Sequence, residues 1–449
     1  MNETSAEAAS GWGSSRAAAH PRVRRRDVLP AVAAVLVLSL AHVLFGATQP
    51  ITALVLSIGL IAAALVSITV AGPRHITFGM IAGAAALWTY SVAGAAGDLG
   101  RATPGLAVLF GASAMWVLGY ICARKRGVLD IVWTALVWSS FTYCAWMFFD
   151  QMGGAMAGNE ISAITDGFES PASASLIFGL LTLIGSARVL HVVKQMDAEA
   201  LARSEMIDRL MRDGLGGMLL LVFAVSCLGL AGSRVGILLT TAVLLGHMWW
   251  DTRVITSRSH RGIVIRYARR LAPLAAIAFA VAGVGLAWLR DESVVRGVGL
   301  SDTLPHLQRL QAYIAAWLES PVFGHGLGSA DAIGDSVMTL DNAKAMLAPG
   351  DVQNVFVHWL VEAGLVGVGA MVLFIGAMHV RILSSLAQRR APRTYTRLVL
   401  ATGAFLLLHG VADSSLDLPS VVWLYALLLG AACGVATTKS SSGGASKPR

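Results

Sequence analysis

Residues 51–71 read ITALVLSIGLIAAALVSITVA, a stretch of apolar and small residues without a single charge. As a helix it crosses roughly 30 Å of hydrocarbon, because each residue adds about 1.5 Å. A strand reading fails, since a barrel strand is about ten residues of alternating polarity and this stretch does not alternate. The decisive element is therefore a transmembrane helix. Comparable runs recur at 28–47, 77–96, 105–122, 128–149, 172–193, 216–232, 235–250, 271–289, 353–379, 398–413 and 419–437, about twelve spans in all.

Composition agrees with this reading. The 449 residues are 56% hydrophobic and 13% charged, and the mean hydropathy is +0.68, which excludes an ordinary soluble domain. The expected fold is an all-α integral membrane protein. Its membrane domain covers 28–437, between disordered cytoplasmic tails at 1–27 and 438–449. The first tail does not read as a cleavable signal, because its charged region is long and the apolar run after it spans a bilayer. Cys122, Cys144, Cys227 and Cys433 fall within or at the ends of spans without CxxC spacing, so neither a zinc site nor an outer disulfide framework is indicated.

A net charge of +8 can suit nucleic acid, but its placement here points to a membrane. Arginine and lysine cluster at Arg22–Arg26, Arg124–Arg126, Arg253–Arg270 and Arg381–Arg397, on alternate loops. By the positive-inside rule these loops are cytoplasmic. The loop at 150–171 carries Asp150, Glu160, Asp166 and Glu169 without a basic partner and is expected outside. An even number of spans then puts both termini in the cytoplasm. The inner segment 194–215 has helical periodicity with mixed charge and reads as an interfacial helix. The basic loop 251–270 reads as topogenic, facing lipid headgroups.

The longest outer segment, 290–352, lies between the ninth and tenth spans, and loops of that length in compact proteins usually carry function. Within it Asp302 or Thr303 can cap a short amphipathic helix with Pro305 in its first turn and Pro321 beyond its end. Leu307, Leu310, Ile314 and Leu318 share one face; Arg309 and Tyr313 share another, so the helix can lie on the membrane while presenting a cation to a cavity. The glycines around His325 predict a flexible turn, and 331–351 a mobile flap.

Candidate functional residues gather at the outer face under this topology. Arg234 sits where the seventh span emerges, Arg309 in the long loop, Gln353, Asn354 and His358 at the start of the tenth span, and Asp413 at the end of the eleventh. An arginine at the hydrocarbon boundary needs a partner. Arg234 is either a snorkelling anchor paired with Asp413 or Glu362, or a clamp for phosphate or diphosphate, which the guanidinium fork fits. Asn354, His358 and Glu362 are spaced four apart and line one helical face, from which Gln353 diverges. That stripe either hydrogen-bonds between helices or handles protons, with His358 suited to base work by an ordinary pKa of about 6.5. His325 is a second base candidate; His409 and Asp413 are a further pair four apart. No phosphate-loop, dinucleotide or HExxH motif is present, so energy and donor are not expected from a cytoplasmic nucleotide.

Three blocks in order resemble the O-antigen ligase and O-antigen polymerase family of bacterial membrane glycan transferases. They are GSRVGILLT with Arg234, then RLQAYIAAWLESPVFGHGLGS followed by QNVFVHWLVEAGLVGV, and HGVADSSLDLPSVVWLYALLLG with Asp413, Leu416 and Pro419. Together they cover about residues 217–430. The resemblance implies metal-independent transfer of a glycan from an undecaprenyl diphosphate carrier to an acceptor hydroxyl, on another glycan or on a lipid A core, at the periplasmic face of the inner membrane. It implies no cofactor and no nucleic acid, and it casts Arg234 and Arg309 as holders of the donor diphosphate, where fixed cations stabilise the leaving group. His358, Asp413 and Asn354 are the expected catalytic residues; Gln353, His325 and Tyr313 join the two arginines in substrate binding. One departure stands out: the family's block begins His-Asn, and this chain has Gln353-Asn354. A second lies in GFESPASASLIFGL, where Glu169, Ser170 and Pro171 replace an Asn-Arg-Asn-like run. A polysaccharide transporter or flippase and a catalytically inactive relative are the alternatives.

Overall fold

The structure is a computed structural model that describes residues 25–71, 83, 85, 99–156, 168, 170–199, 203–252, 303–346, 354–387, 393–412 and 415–437. The elements are α1 (Arg25–Val43), α2 (Pro50–Ala71), α3 (Leu99–Ala123), α4 (Arg126–Met156), α5 (Pro171–Glu199), α6 (Arg203–Arg209), α7 (Leu215–Ala231), α8 (Arg234–Thr252), α9 (Thr303–Glu319), α10 (Ala330–Ser336), α11 (Ala343–Met346), α12 (Val355–Ala387), α13 (Arg393–Ala412) and α14 (Pro419–Thr437). Among the described residues eight helices are long and apolar enough to cross a membrane, so the chain is an all-α, multi-pass membrane protein. A shorter apolar helix, Val28–Val43 of α1, coincides with a further expected span, and so does α8. The spans expected at 77–96, apart from Gly83 and Ala85, and at 271–289 lie outside the described residues, as do 253–270 of the basic inner loop, 290–302 of the outer segment, and 1–24 and 438–449 of the tails.

The helices follow from the apolar runs, because in hydrocarbon each backbone N–H and C=O must be bonded within the segment. Hydroxyls inside the spans bond back to the preceding turn: Ser67 donates to the Ala63 carbonyl at 2.6 Å, and Thr182 to Phe178 at 2.8 Å. The segment 194–215 does not form the separate interfacial helix expected of it. Its first residues prolong α5, and α6 runs through a π turn at Leu210–Gly214 directly into α7.

Helices α5, α13 and α14 form the middle of the bundle, with 72% of their apolar windows buried, against 28% for α12 at the periphery. The core is filled by Trp423, Tyr120, Phe178 and Phe405. Exposed Ile51, Leu36, Phe149, Val222 and Leu373 stud the outside, as lipid-facing side chains do. The tightest contact is between α3 and α14, where a Cβ on Gly430 would strike the Trp116 carbonyl and one on Gly434 the Tyr120 carbonyl. Small residues four apart let two backbones approach in this way. At one end of the bundle Lys194, Asp251 and Arg397 tie α5, α8 and α13 together, both cations 2.7 Å from the buried Asp251 carboxylate.

Gly430→Val is expected to force α3 and α14 apart and lower stability by about 1–3 kcal/mol, read as a drop in the detergent melting temperature. Gly59→Ala, whose added Cβ meets nothing within 4 Å, leaves that temperature unchanged.

Candidate functional site

The opposite end of the bundle carries the polar groups. There α12, 33 residues long, is not one continuous helix: Gly364 takes φ 61° and ψ −172°, a conformation that strains any residue bearing a Cβ. A break removes the bonds from Leu365 N–H to the Val361 carbonyl and from Val366 N–H to the Glu362 carbonyl that an unbroken helix would make. The loop after α9 restores all four groups. Leu365 N–H donates to Pro321 at 2.9 Å and Val366 N–H to Val322 at 3.0 Å, while His325 N–H reaches Val361 at 2.7 Å and Gly326 N–H reaches Glu362 at 3.0 Å. Gly324, at φ 71°, lies where a Cβ would strike the Glu362 backbone. The turn expected to be flexible is thus pinned to the span, and Leu327 packs with Ala102 of α3 and Ala363 to hold it.

The segment 331–351, expected as a flap, is folded over its described part. Its α10 and α11 sit on α9 through two buried side chains. Arg309, 4% exposed, donates to the Ala345 carbonyl, from Nε at 3.0 Å and from Nη2. Tyr313 donates to the Ala330 carbonyl at 3.4 Å and packs against Val361. The apolar side chains Leu307, Ile314 and Leu318 of α9 are exposed on its other side. His325 Nε2 lies 2.8 Å from the Ala316 carbonyl, which closes the turn on the end of α9.

The break positions a chain of ionisable groups. Glu362, the second residue before Gly364, accepts a hydrogen bond from Gly328 N–H at 2.9 Å and lies 3.1 Å from His358 Nε2. The other nitrogen, His358 Nδ1, lies 2.9 Å from Asp417 Oδ2, within ion-pair range though not aligned as a hydrogen bond. Trp359 Nε1 donates to Asp417 Oδ1 at 2.7 Å and orients that carboxylate. Asp417 ends a 3-10 turn, Ser415–Asp417, between α13 and α14. The imidazole therefore stands in line between two carboxylates. No group of three His, Cys, Asp or Glu suited to holding a metal ion occurs among the described residues.

Asn354 has a structural position. Its Oδ1 caps the start of α12 by accepting from Phe356 N–H at 3.0 Å and Val357 N–H at 3.2 Å, and its Nδ2 reaches the Val411 carbonyl at 3.3 Å. Arg234 opens α8 half-buried, after Gly232 ends α7 in the left-handed conformation and Ser233 Oγ accepts from Gly236 N–H at 3.1 Å. Ser175 of α5 meets His409 Nε2 at 3.5 Å at the same end. Gln353 and Asp413 lie outside the described residues.

The structure thus joins His358, Glu362 and Asp417 directly, and joins His325 to them through the backbone of the break. Arg309 and Tyr313 point into the folded segment beside this cluster. Sequence reasoning missed Asp417 altogether and treated Glu362 as the end of a polar stripe or a partner for Arg234. An available signal was the acidic DSSLDLP stretch, a second aspartate four residues beyond Asp413 and just before a span. No protein-family model matches this chain, and no curated protein is significantly similar to it.

Gly364→Ala is expected to disturb the exchanged hydrogen bonds and speed amide exchange at His325 and Gly326 at least ~10-fold, about 1.4 kcal/mol of local protection. Gly369→Ala, with open space around its added Cβ, leaves exchange at those amides unchanged.

Proposed function

We propose that this protein transfers or polymerises oligosaccharide units carried on undecaprenyl diphosphate, at the periplasmic face of a bacterial inner membrane, in O-antigen or exopolysaccharide assembly. The acceptor is a hydroxyl of a second lipid-linked glycan or of a lipid A core. In this reading the chain has twelve spans with both termini cytoplasmic, and the Lys194–Asp251–Arg397 end is the inner one. The observation that carries it is the line Glu362–His358–Asp417, an imidazole between two carboxylates, beside a long segment with a buried arginine. The three sequence blocks that resemble O-antigen ligases and polymerases contribute to this one end of the bundle. A diphosphate leaving group needs fixed positive charge, which Arg234 and Arg309 supply, and an acceptor hydroxyl needs a proton acceptor.

The broken span favours a second reading, because interrupted helices are also how transporters build substrate sites near the middle of the bilayer. The position of the break speaks for transfer. From Leu365 to Ala387 about 23 residues remain, roughly 34 Å of helix, enough to cross the membrane unaided. Gly364 then lies at the outer boundary, and His358 and Glu362 stand at or above it.

Loss of the protein is expected to remove polymer-length glycan while single repeats persist, if it polymerises, or to leave unattached polymer, if it ligates; gel display of surface polysaccharide distinguishes them. An unchanged profile refutes both. Arg309→Ala is expected to lower transfer at least ~100-fold at unchanged membrane abundance, since its bonds to the Ala345 carbonyl lie outside the long apolar helices. Arg258→Ala in the inner loop has no effect.

A further inference from the structure

We propose that Asp417 takes the proton from the acceptor hydroxyl, with His358 and Glu362 behind it as positioning residues; the assignment rests on the glycan-transfer reading above. His358 is the residue whose chemistry first suggests a base, but both of its ring nitrogens face carboxylates, at 3.1 Å and 2.9 Å. To accept a proton from substrate it would have to give up one of them. The Glu362 side is the fixed one. Glu362 also accepts from Gly328 N–H, and its own backbone carbonyl is bound by Gly326 N–H, so its carboxylate is held by the exchange that closes the break.

The Asp417 side is the open one. Side-chain exposure rises along the line from 12% at Glu362 through 17% at His358 to 40% at Asp417, so an acceptor sugar arriving from outside meets Asp417 first. The carboxylate is also aimed. Trp359 Nε1 donates to Oδ1 at 2.7 Å and Oδ2, beside His358, is buried, so Oδ1, which can accept more than one hydrogen bond, is the oxygen left to meet the substrate. Asp417 ends the turn where α5, α12, α13 and α14 converge, a rigid mount for a group that must meet its substrate in one geometry.

The step balances as follows. The acceptor oxygen bonds to the anomeric carbon of the donor sugar while the bond from that carbon to the diphosphate oxygen breaks. The carrier diphosphate leaves with the electron pair, and the hydroxyl proton passes to an Asp417 carboxylate oxygen and from there to water. A carboxylate suffices as base here, as it does for water attack in inverting glycosidases, because the leaving group departs early and the hydroxyl turns acidic as the new bond forms. Glu362 keeps His358 oriented and balances its charge, so that Asp417 does not face an unopposed cation.

The test compares Asp417→Asn, Asp417→Glu and His358→Gln in membranes of a strain lacking the native protein. It measures the initial rate at which labelled glycan leaves its undecaprenyl diphosphate carrier for polymer or core, at equal variant abundance. Asp417→Asn is expected to lose at least ~100-fold, the usual contribution of a positioned base. Asp417→Glu retains measurable transfer, which separates lost chemistry from lost fold, and His358→Gln loses less than Asp417→Asn. Equal rates for the Asn and Glu variants, or an inactive His358→Gln beside an active Asp417→Asn, overturn the assignment while leaving glycan transfer standing. If membranes containing the wild-type protein transfer no glycan, the functional reading and the assignment fall together.

Discussion

A membrane span cannot leave backbone groups unbonded, and at Gly364 this one stops being a helix. Everything at that end of the molecule depends on how the resulting four groups are answered. The Pro321–Gly326 loop exchanges two donors and two acceptors with the span, in the places where two turns of helix would otherwise have bonded to each other. Each unanswered group in an apolar setting costs several kcal/mol, so the exchange fixes the loop as firmly as it fixes the break. From this follow the placement of Gly328 N–H on Glu362, of Glu362 beside His358, and of Leu327 against α3.

The rest of the bundle makes that end rigid. Close backbone contact of α3 with α14 and the buried ion pairs of Lys194 and Arg397 with Asp251 fix the scaffold at its far side. The helices α13 and α14 that flank Asp417 are each tied to a neighbour in this way. The α9–α11 segment lies on this frame with Arg309 and Tyr313 turned inward, while Leu307, Ile314 and Leu318 are exposed together with Gln308, Gln311 and Glu319.

Much of the fold was legible in the sequence, because apolar runs of span length have one solution in lipid. The helix at Thr303–Glu319 was legible too, from Pro305, Pro321 and the stripe between them. The site was legible only in part. Periodicity put His358 and Glu362 on one face, but their relation to Asp417 crosses 55 residues or more of chain and leaves no local pattern. The partner of Arg309 was invisible for another reason: it is a backbone carbonyl, and carbonyls have no signature in side-chain sequence. Over 331–346 the expected flap is folded instead, since polar composition does not reveal that Arg309 and Tyr313 bond to the backbone there and at Ala330.

The central claim is that one purified protein moves a glycan off a lipid diphosphate at this end of the bundle. The direct measurement reconstitutes the full chain in proteoliposomes with an undecaprenyl-diphosphate-linked oligosaccharide, adds no nucleotide, and follows free undecaprenyl diphosphate. The expected result is release of that carrier in step with lengthening or attachment of the glycan. Movement of the intact lipid-linked oligosaccharide between leaflets without release of the diphosphate would contradict it and make the protein a transporter.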